Sequence, residues 1–194
     1  QIVAISRGGS PQRTENGAKV KSISCNYSEE SIRGICEGLK SAKGSITQVI
    51  ICNGILHTDR IFPEKRLEDI SIATVSEVMH INTIIPLVWL ANIGPLLKSR
   101  QTCRVAILSA RVGSISDNRS GGWYAYRASK AALNMLIKTA AIEFRRRAPN
   151  VKLIAFHPGT TDTKLSKPFQ RSVPEGKLFT PDFVAGALLK LLKT

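Results

Sequence analysis

The stretch "GGWYAYRASKAALNM", residues 121–135, decides how this chain is read. It sets Tyr126 four residues before Lys130 in a run of small, helix-compatible residues. Positions four apart share a face of a helix, so the phenol and the ammonium point into one cleft. The neighbouring alanines and Ser129 leave room there for something else. A tyrosine with its ordinary pKa of about 10 is a poor proton shuttle at neutral pH. Bringing it to about 7 costs roughly 4 kcal/mol. One ammonium at about 4 Å, in an effective dielectric of about 20, supplies that amount. The same pair also suits a plain amphipathic helix face, so its meaning rests on what surrounds it.

Outward from this helix, predicted over 123–147, strand and helix patterns alternate. Residues 2–6 ("IVAIS") are a short β-rich run followed by Gly8 and Gly9, and 19–24 ("KVKSIS") alternate like a second strand. Residues 28–43 carry Ile32, Ile35, Cys36 and Leu39 at helical spacing behind a start signal at Ser28. Residues 48–52 ("QVIIC") and 103–110 ("CRVAILSA") read as strands of a sheet covered on both faces. Between them lies a helical pattern over 76–98 that contains Asn82, with Pro86 and Pro95 expected to kink or end parts of it. Residues 151–156 ("VKLIAF") form a strand leading into "HPG", and 181–192 a last helix. The alternation predicts a single α/β domain over 1–194 with a doubly wound parallel sheet. In such sheets the ligand lies beyond the carboxyl ends of the strands. Arg7, Cys52 to Gly54, Ser109 to Ser114 and His157 to Thr163 all follow strands.

Composition narrows the class. The chain has 194 residues, 43% hydrophobic and 22% charged, enough for one domain with a core. No purely apolar run reads as a membrane span, and residues 1–9 read as strand and turn rather than as a signal peptide. Cys25, Cys36, Cys52 and Cys103 lie far apart without CxxC spacing, which fits reduced thiols in a cytoplasmic protein. His57, His80 and His157 lack metal-ligand spacing and read as structural or loop residues; no metal site is expected. The net charge of +14 raises the question of a nucleic-acid partner. The tight cluster Arg145 to Arg147 falls at a predicted helix C-terminus, where cations suit the helix dipole. No nucleic-acid motif accompanies it, so a solvated basic surface is the preferred reading.

With these segments in place, the chain resembles the short-chain dehydrogenase/reductase family. "YRASK" resembles the family's YxxxK motif, "HPGTTDT" its PG segment, "HINTIIP" the helix that carries its active-site asparagine, and "ICNGILH" stands in the place of its NNAG motif. "SARVGSISDNRSGGWYAYRASKAALN" resembles the C-factor and sniffer-like carbonyl reductase branch. The resemblance covers almost the whole chain and implies a Rossmann-like sheet. It also implies that the family's first strand and Gly-rich turn, and its last strand, lie outside this sequence, which reads as a fragment. In the family the first strand is central, so the two halves of the sheet are expected to lack a shared neighbour.

The resemblance also implies roles. Tyr126 would be the general acid/base of an NADP(H)-dependent carbonyl/alcohol oxidoreductase. Lys130 would assist it and hold the nicotinamide ribose, and Asn82 would anchor a proton-relaying water. The family's active-site serine falls at Ala110, leaving Ser109 or Ser114 as substitutes. Arg7, after the strand "VAIS", points to a 2′-phosphate and hence to NADP(H) over NAD(H). Asn26 stands near the family's adenine-contacting aspartate. Cys52, Asn53 and Gly54 would approach the cofactor. Pro158, Gly159, Thr161 and Thr163 would hold the carboxamide end. Trp123 and Tyr124 line the substrate pocket or pack in the core. The segment after Thr163 would form the substrate lid, and the helices over 76–98 and 123–147 would pair subunits into a homodimer or homotetramer. A non-catalytic or signalling role of C-factor type is the alternative.

Overall fold

The computed structural model describes residues 1–8, 17 and 19–194. Gly9, placed in the turn after the first strand, lies outside the described residues. The elements run β1 (Ile2–Ser6), β2 (Val20–Ser24), α1 (Glu29–Gly38), β3 (Gln48–Ile51), α2 (Ile72–Met79), α3 (Ile85–Leu97), β4 (Cys103–Leu108), α4 (Tyr124–Arg147), β5 (Val151–Phe156), β6 (Thr160–Thr161), β7 (Leu178–Phe179) and α5 (Pro181–Leu191).

β4 is central, paired in parallel with β3 from Gln48↔Arg104 to Ile51↔Ile107 and with β5 from Cys103↔Val151 to Leu108↔Phe156. Successive residues of a strand face opposite sides of the sheet, and β4 is apolar on both. Val105 and Ile107 join the cluster built on α3 and α4, whereas Ala106 packs with Leu188 and Leu192 at the end of α5. Helices therefore cover both faces, as a doubly wound α/β fold requires.

β1 and β2 pair in parallel as a separate sheet, from Ile2↔Val20 to Ser6↔Ser24. Among the described residues no strand is hydrogen-bonded to both sheets. The expected division of the sheet into two halves is present. Side chains hold the halves together: one core cluster joins Cys25, Ile32 and Cys36 to Ile51, Trp89, Ile93 and Val105, with Ile5 packed against it.

The helix predicted over 76–98 differs from expectation. It begins at Ile72, with the Ser71 side chain capping its first turn, and loosens into a π-turn at His80–Ile84 before continuing as α3. Pro86 sits in the first turn of α3, and the N–H it lacks is the one that a regular helix would direct at the Asn82 carbonyl in the preceding π-turn. Pro95 lies inside α3 without ending it. The carbonyl four residues earlier, which loses its helical donor to the proline, belongs to Ala91, an exposed residue. The run Ile72–Leu97 is also long and apolar enough to cross a membrane by length and composition, contrary to the sequence expectation. Here 56% of its apolar window is buried inside the protein, as befits a core helix. Sequence patterns did not indicate β6 and β7, which pair in parallel as a two-residue ladder beyond β5.

Candidate active site

Lys130 lies on α4 and is only 3% exposed. Its ammonium donates to the Leu108 carbonyl, at the end of β4, at 2.9 Å. The short turn Arg111–Gly113 after β4 packs directly on the Lys130 backbone, a contact only glycine permits. Tyr126 occupies the first turn of the same helix, and Lys130 Nζ lies 6.0 Å from its ring centroid. The predicted convergence of the two side chains is present.

The electrostatics differ from the expectation. Burial pushes the Tyr126 hydroxyl up to about 12 and the Lys130 ammonium down to about 8. Desolvation disfavours the charged form of each group. The ammonium donates to the Leu108 carbonyl, and desolvation is the cause that shifts each group. Tyr126 is held protonated, and Lys130 still carries its proton at neutral pH.

Asn82 is fully buried inside the π-turn. Its Oδ1 accepts from the Ile55 amide at 2.7 Å, and its Nδ2 donates to the Ile55 carbonyl at 2.9 Å and to Ser129 Oγ at 3.0 Å. The side chain is thus spent on joining the loop after β3 to α4. Ser129 Oγ in turn donates to the Tyr126 carbonyl at 2.8 Å. Pro86, four residues on, has no N–H, so the Asn82 carbonyl lacks its regular helical donor.

The two serines are occupied differently. Ser109 is buried and its Oγ donates to Asn134 Oδ1 at 2.6 Å. Ser114 Oγ accepts from the Asp117 amide at 3.4 Å and lies 3.4 Å from Ser116 Oγ, the geometry of a turn. Ala110 holds extended backbone at the start of the turn. Neither serine hydroxyl bonds to Tyr126.

The remaining candidates line the strand ends. Arg7 lies beyond β1, its guanidinium 5.9 Å from the Tyr27 ring centroid. Asn26 Oδ1 accepts from the Ser28 amide at 2.9 Å, ahead of α1, so its side chain serves that turn. Cys52 is exposed and Asn53 half-buried at the end of β3. A Cβ on Gly54 would stand 3.5 Å from both Asn82 Oδ1 and Lys130 Nζ, so the bare backbone leaves this polar corner open. Pro158 and Gly159 turn the chain out of β5. Gly159 has φ +73°, and a Cβ there would lie 2.6 Å from the Phe179 ring. Thr161 Oγ1 is buried without a hydrogen-bond partner, whereas Thr163 is exposed and its carbonyl accepts from Ser166 and Lys167. A dinucleotide fits this row on two counts: the cradle at Gly54 that a side chain would fill, and an orphaned hydroxyl at Thr161.

Sequence reading missed several groups. Glu64, 3% exposed, accepts from the Ala125 amide at 3.2 Å and caps α4 from a loop 61 residues away. No local pattern signals such a cap. Phe169, in the expected lid, packs on both Trp123 and His57. His57 and His157 hold loops, through the Lys164 carbonyl and the Arg111 amide. Among the described residues no cluster of His, Cys, Asp and Glu suits a metal.

A family model described as short chain dehydrogenase matches residues 10–173. The chain is 30% identical over 165 residues to a 1-hydroxy-2-glutathionyl-2-methyl-3-butene dehydrogenase of Rhodococcus sp. (strain AD45), covering 84% of this chain and 66% of that one. It is 34% identical over 122 residues to C-signal of Myxococcus xanthus, covering 63% and 69%. It therefore spans about two thirds of the length of these relatives. Carbonyl reductase Sniffer of D. melanogaster matches with a TM-score of 0.77 at 16% identity, covering 98% of this chain and 90% of that one. An NADPH-bound carbonyl reductase from chicken fatty liver matches with a TM-score of 0.75 at 21% identity, covering 98% and 79%.

Proposed function

Because this chain belongs to the short-chain dehydrogenase/reductase family, we propose that its protein interconverts a carbonyl and an alcohol, with NADP(H) as cofactor and Tyr126 as the general acid/base. The observation that carries this reading is the pairing on α4 of half-buried Tyr126 with buried Lys130, set beside Gly54 and Asn82 at the strand ends. Several solved structures of the same fold contain NADP or NADPH.

When bound, the nicotinamide supplies or accepts a hydride. Tyr126 donates its hydroxyl proton to the carbonyl oxygen in reduction, and burial keeps that proton in place until it is needed. As negative charge develops on the phenolic oxygen, the Lys130 ammonium stabilises it, an interaction worth most in the transition state. Lys130 also reaches the nicotinamide ribose. The Asn82 carbonyl, relieved of its helical donor by Pro86, holds a water that returns protons toward Lys130. Either Ser109 or Ser114 polarises the carbonyl by donating its O–H to the carbonyl oxygen; for Ser109 this means turning that O–H away from Asn134 Oδ1. Arg7, beside the Tyr27 ring, would meet the 2′-phosphate, and Asn26 would lie on the adenine side. Cys52, Asn53 and Gly54 would flank the cofactor, and Pro158, Gly159, Thr161 and Thr163 would hold its carboxamide end, Thr161 Oγ1 being a hydroxyl without a partner in the protein.

The test is the Tyr126→Phe variant of the full chain, assayed for NADPH-dependent reduction of a panel of aldehydes and ketones. A loss of about 10²–10⁴-fold in kcat, with NADPH affinity within threefold, is expected. Turnover equal to wild type removes the assignment.

A second reading has support from Ala110, which replaces the family serine, and from the likeness to C-signal. It makes the protein a non-catalytic or signalling member of the family. NADPH titration separates the two, since micromolar binding favours the enzyme and no binding the signal. For assembly we propose a homodimer or homotetramer through the outer face of α4, where Met135 and Ile142 are exposed; a monomer by light scattering contradicts it. We place the protein in the cytoplasm, where its free thiols persist, and cell fractionation checks this.

A further inference from the structure

Four aromatic rings from distant parts of the sequence meet in front of Tyr126. His57 comes from the loop after β3, Trp123 from the turn before α4, Tyr126 from α4, and Phe169 from the 3₁₀ turn Lys167–Ser172. The ring centroids of Trp123 and Phe169 are 4.9 Å apart at 63°, those of His57 and Phe169 5.6 Å apart at 71°, and those of Trp123 and Tyr126 6.2 Å apart at 74°. Each contact is edge to face, the arrangement that aromatic quadrupoles prefer.

The position of Trp123 is held at a cost. Its backbone is left-handed, with φ 54° and ψ 45°, which a residue with a large side chain adopts only when its surroundings impose it. Glu64 imposes it: its carbonyl accepts from the Trp123 amide and its buried carboxylate from the amide two residues on, Ala125. Gly122 precedes with φ +63°, and a Cβ on it would stand 3.3 Å from the same Glu64 carbonyl. Strain of this kind beside a reacting group marks a functional constraint. Phe169 is fixed more lightly. Its turn hangs from Ser166, whose hydroxyl donates to the Thr161 carbonyl, and from the Lys164 carbonyl, which meets His57 Nε2 at 3.1 Å. One wall is therefore rigid and the other rides on a short surface turn.

Resting on the oxidoreductase reading above, we infer that Trp123, which packs on the Tyr126 ring, and Phe169, which packs on Trp123, form an aromatic clamp that selects carbonyl compounds carrying a planar aromatic ring. The turn bearing Phe169 shifts to admit the substrate ring, which then takes up edge-to-face contact with Trp123. His57 backs Phe169 and ties its turn to the loop after β3. Aliphatic carbonyl compounds of equal size gain the area term but not the ring–ring term, which amounts to roughly a two- to tenfold preference per pair.

The experiment measures kcat/KM with NADPH for acetophenone and for 2-octanone, in the wild-type full chain, Trp123→Leu and Phe169→Leu. Leucine keeps each site apolar and leaves the backbone demand at position 123 as it was. The wild type is expected to favour acetophenone, and each variant to lower the acetophenone-to-octanone ratio by about three- to tenfold. Phe169 lies on a surface turn, so its variant reports even where substitution at position 123 prevents folding. Turnover of both ketones at a ratio within twofold of wild type in Phe169→Leu overturns the clamp alone. Turnover of neither ketone by NADPH-loaded wild type overturns the oxidoreductase reading and the clamp with it.

Discussion

Gly113 and Lys130 meet backbone to backbone: a Cβ on Gly113 would lie 2.8 Å from the Lys130 carbonyl carbon and 2.9 Å from its Cβ and its oxygen. The turn after β4 therefore sets the height of the lysine on α4. Gly113→Ala has to push the two apart, at about 1–3 kcal/mol of stability. A displacement of order 1 Å at Lys130 also costs about a hundredfold in kcat. Thermal melts and NADPH-oxidation assays on the same preparation read both. An alanine variant with wild-type kcat shows that this contact does not position the lysine.

Asn82 carries three hydrogen bonds in a fully buried place. Asn82→Ala leaves the Ile55 amide and carbonyl without their partner, at roughly 1–3 kcal/mol for each buried group left unpaired. Asn82→Asp keeps an acceptor for the Ile55 amide but sets a carboxylate against the Ile55 carbonyl, so it does not rescue. Urea midpoints for the two variants check this, and full stability in Asn82→Asp contradicts it.

The pH dependence of stability follows from Lys130. Its folded pKa of about 8 lies below the ordinary lysine value of about 10.4. Between these values the unfolded chain binds more protons, so this group makes stability rise with pH, by at most about 1.4 kcal/mol per pH unit. Tyr126, pushed up to about 12, acts oppositely above about pH 10, and the buried thiols of Cys36 and Cys103, both pushed up to about 11, do so above about pH 9. The difference in unfolding free energy between wild type and Lys130→Met cancels the thiols. It should shift in favour of wild type between pH 8 and 10. A flat difference sinks the burial argument.

Arg7 tests the cofactor. Arg7→Ser should weaken NADPH binding by about ten- to a hundredfold, the value of a charge-assisted hydrogen bond, and NADH binding by less than threefold. Fluorescence titration with each nucleotide reads the ratio. Equal losses for both mean that Arg7 does not meet the 2′-phosphate.

Much of this site was legible because its parts are local. Tyr126 and Lys130 share a helix face through their spacing alone, and the strand-end residues follow from apolar runs that stop at polar turns. The π-turn around Asn82 was not legible, since prolines at 86 and 95 read equally as breaks. Glu64 was invisible because its cap acts across 61 residues of chain. Desolvation at the tyrosine was not legible for a related reason: proximity to a charge is visible in spacing, whereas loss of water around both groups is not.

By itself, the sequence determined the α/β alternation, the family, and the helix that carries Tyr126 and Lys130, because periodicity and motif order are properties of neighbouring residues. Tertiary structure alone decided that desolvation pushes the phenol up and the ammonium down, that Asn82 spends its side chain on Ile55 and Ser129, and that Trp123, Phe169 and His57 converge before the site. Each of these depends on which distant segments exclude water from one another, and that is settled only when the chain has packed.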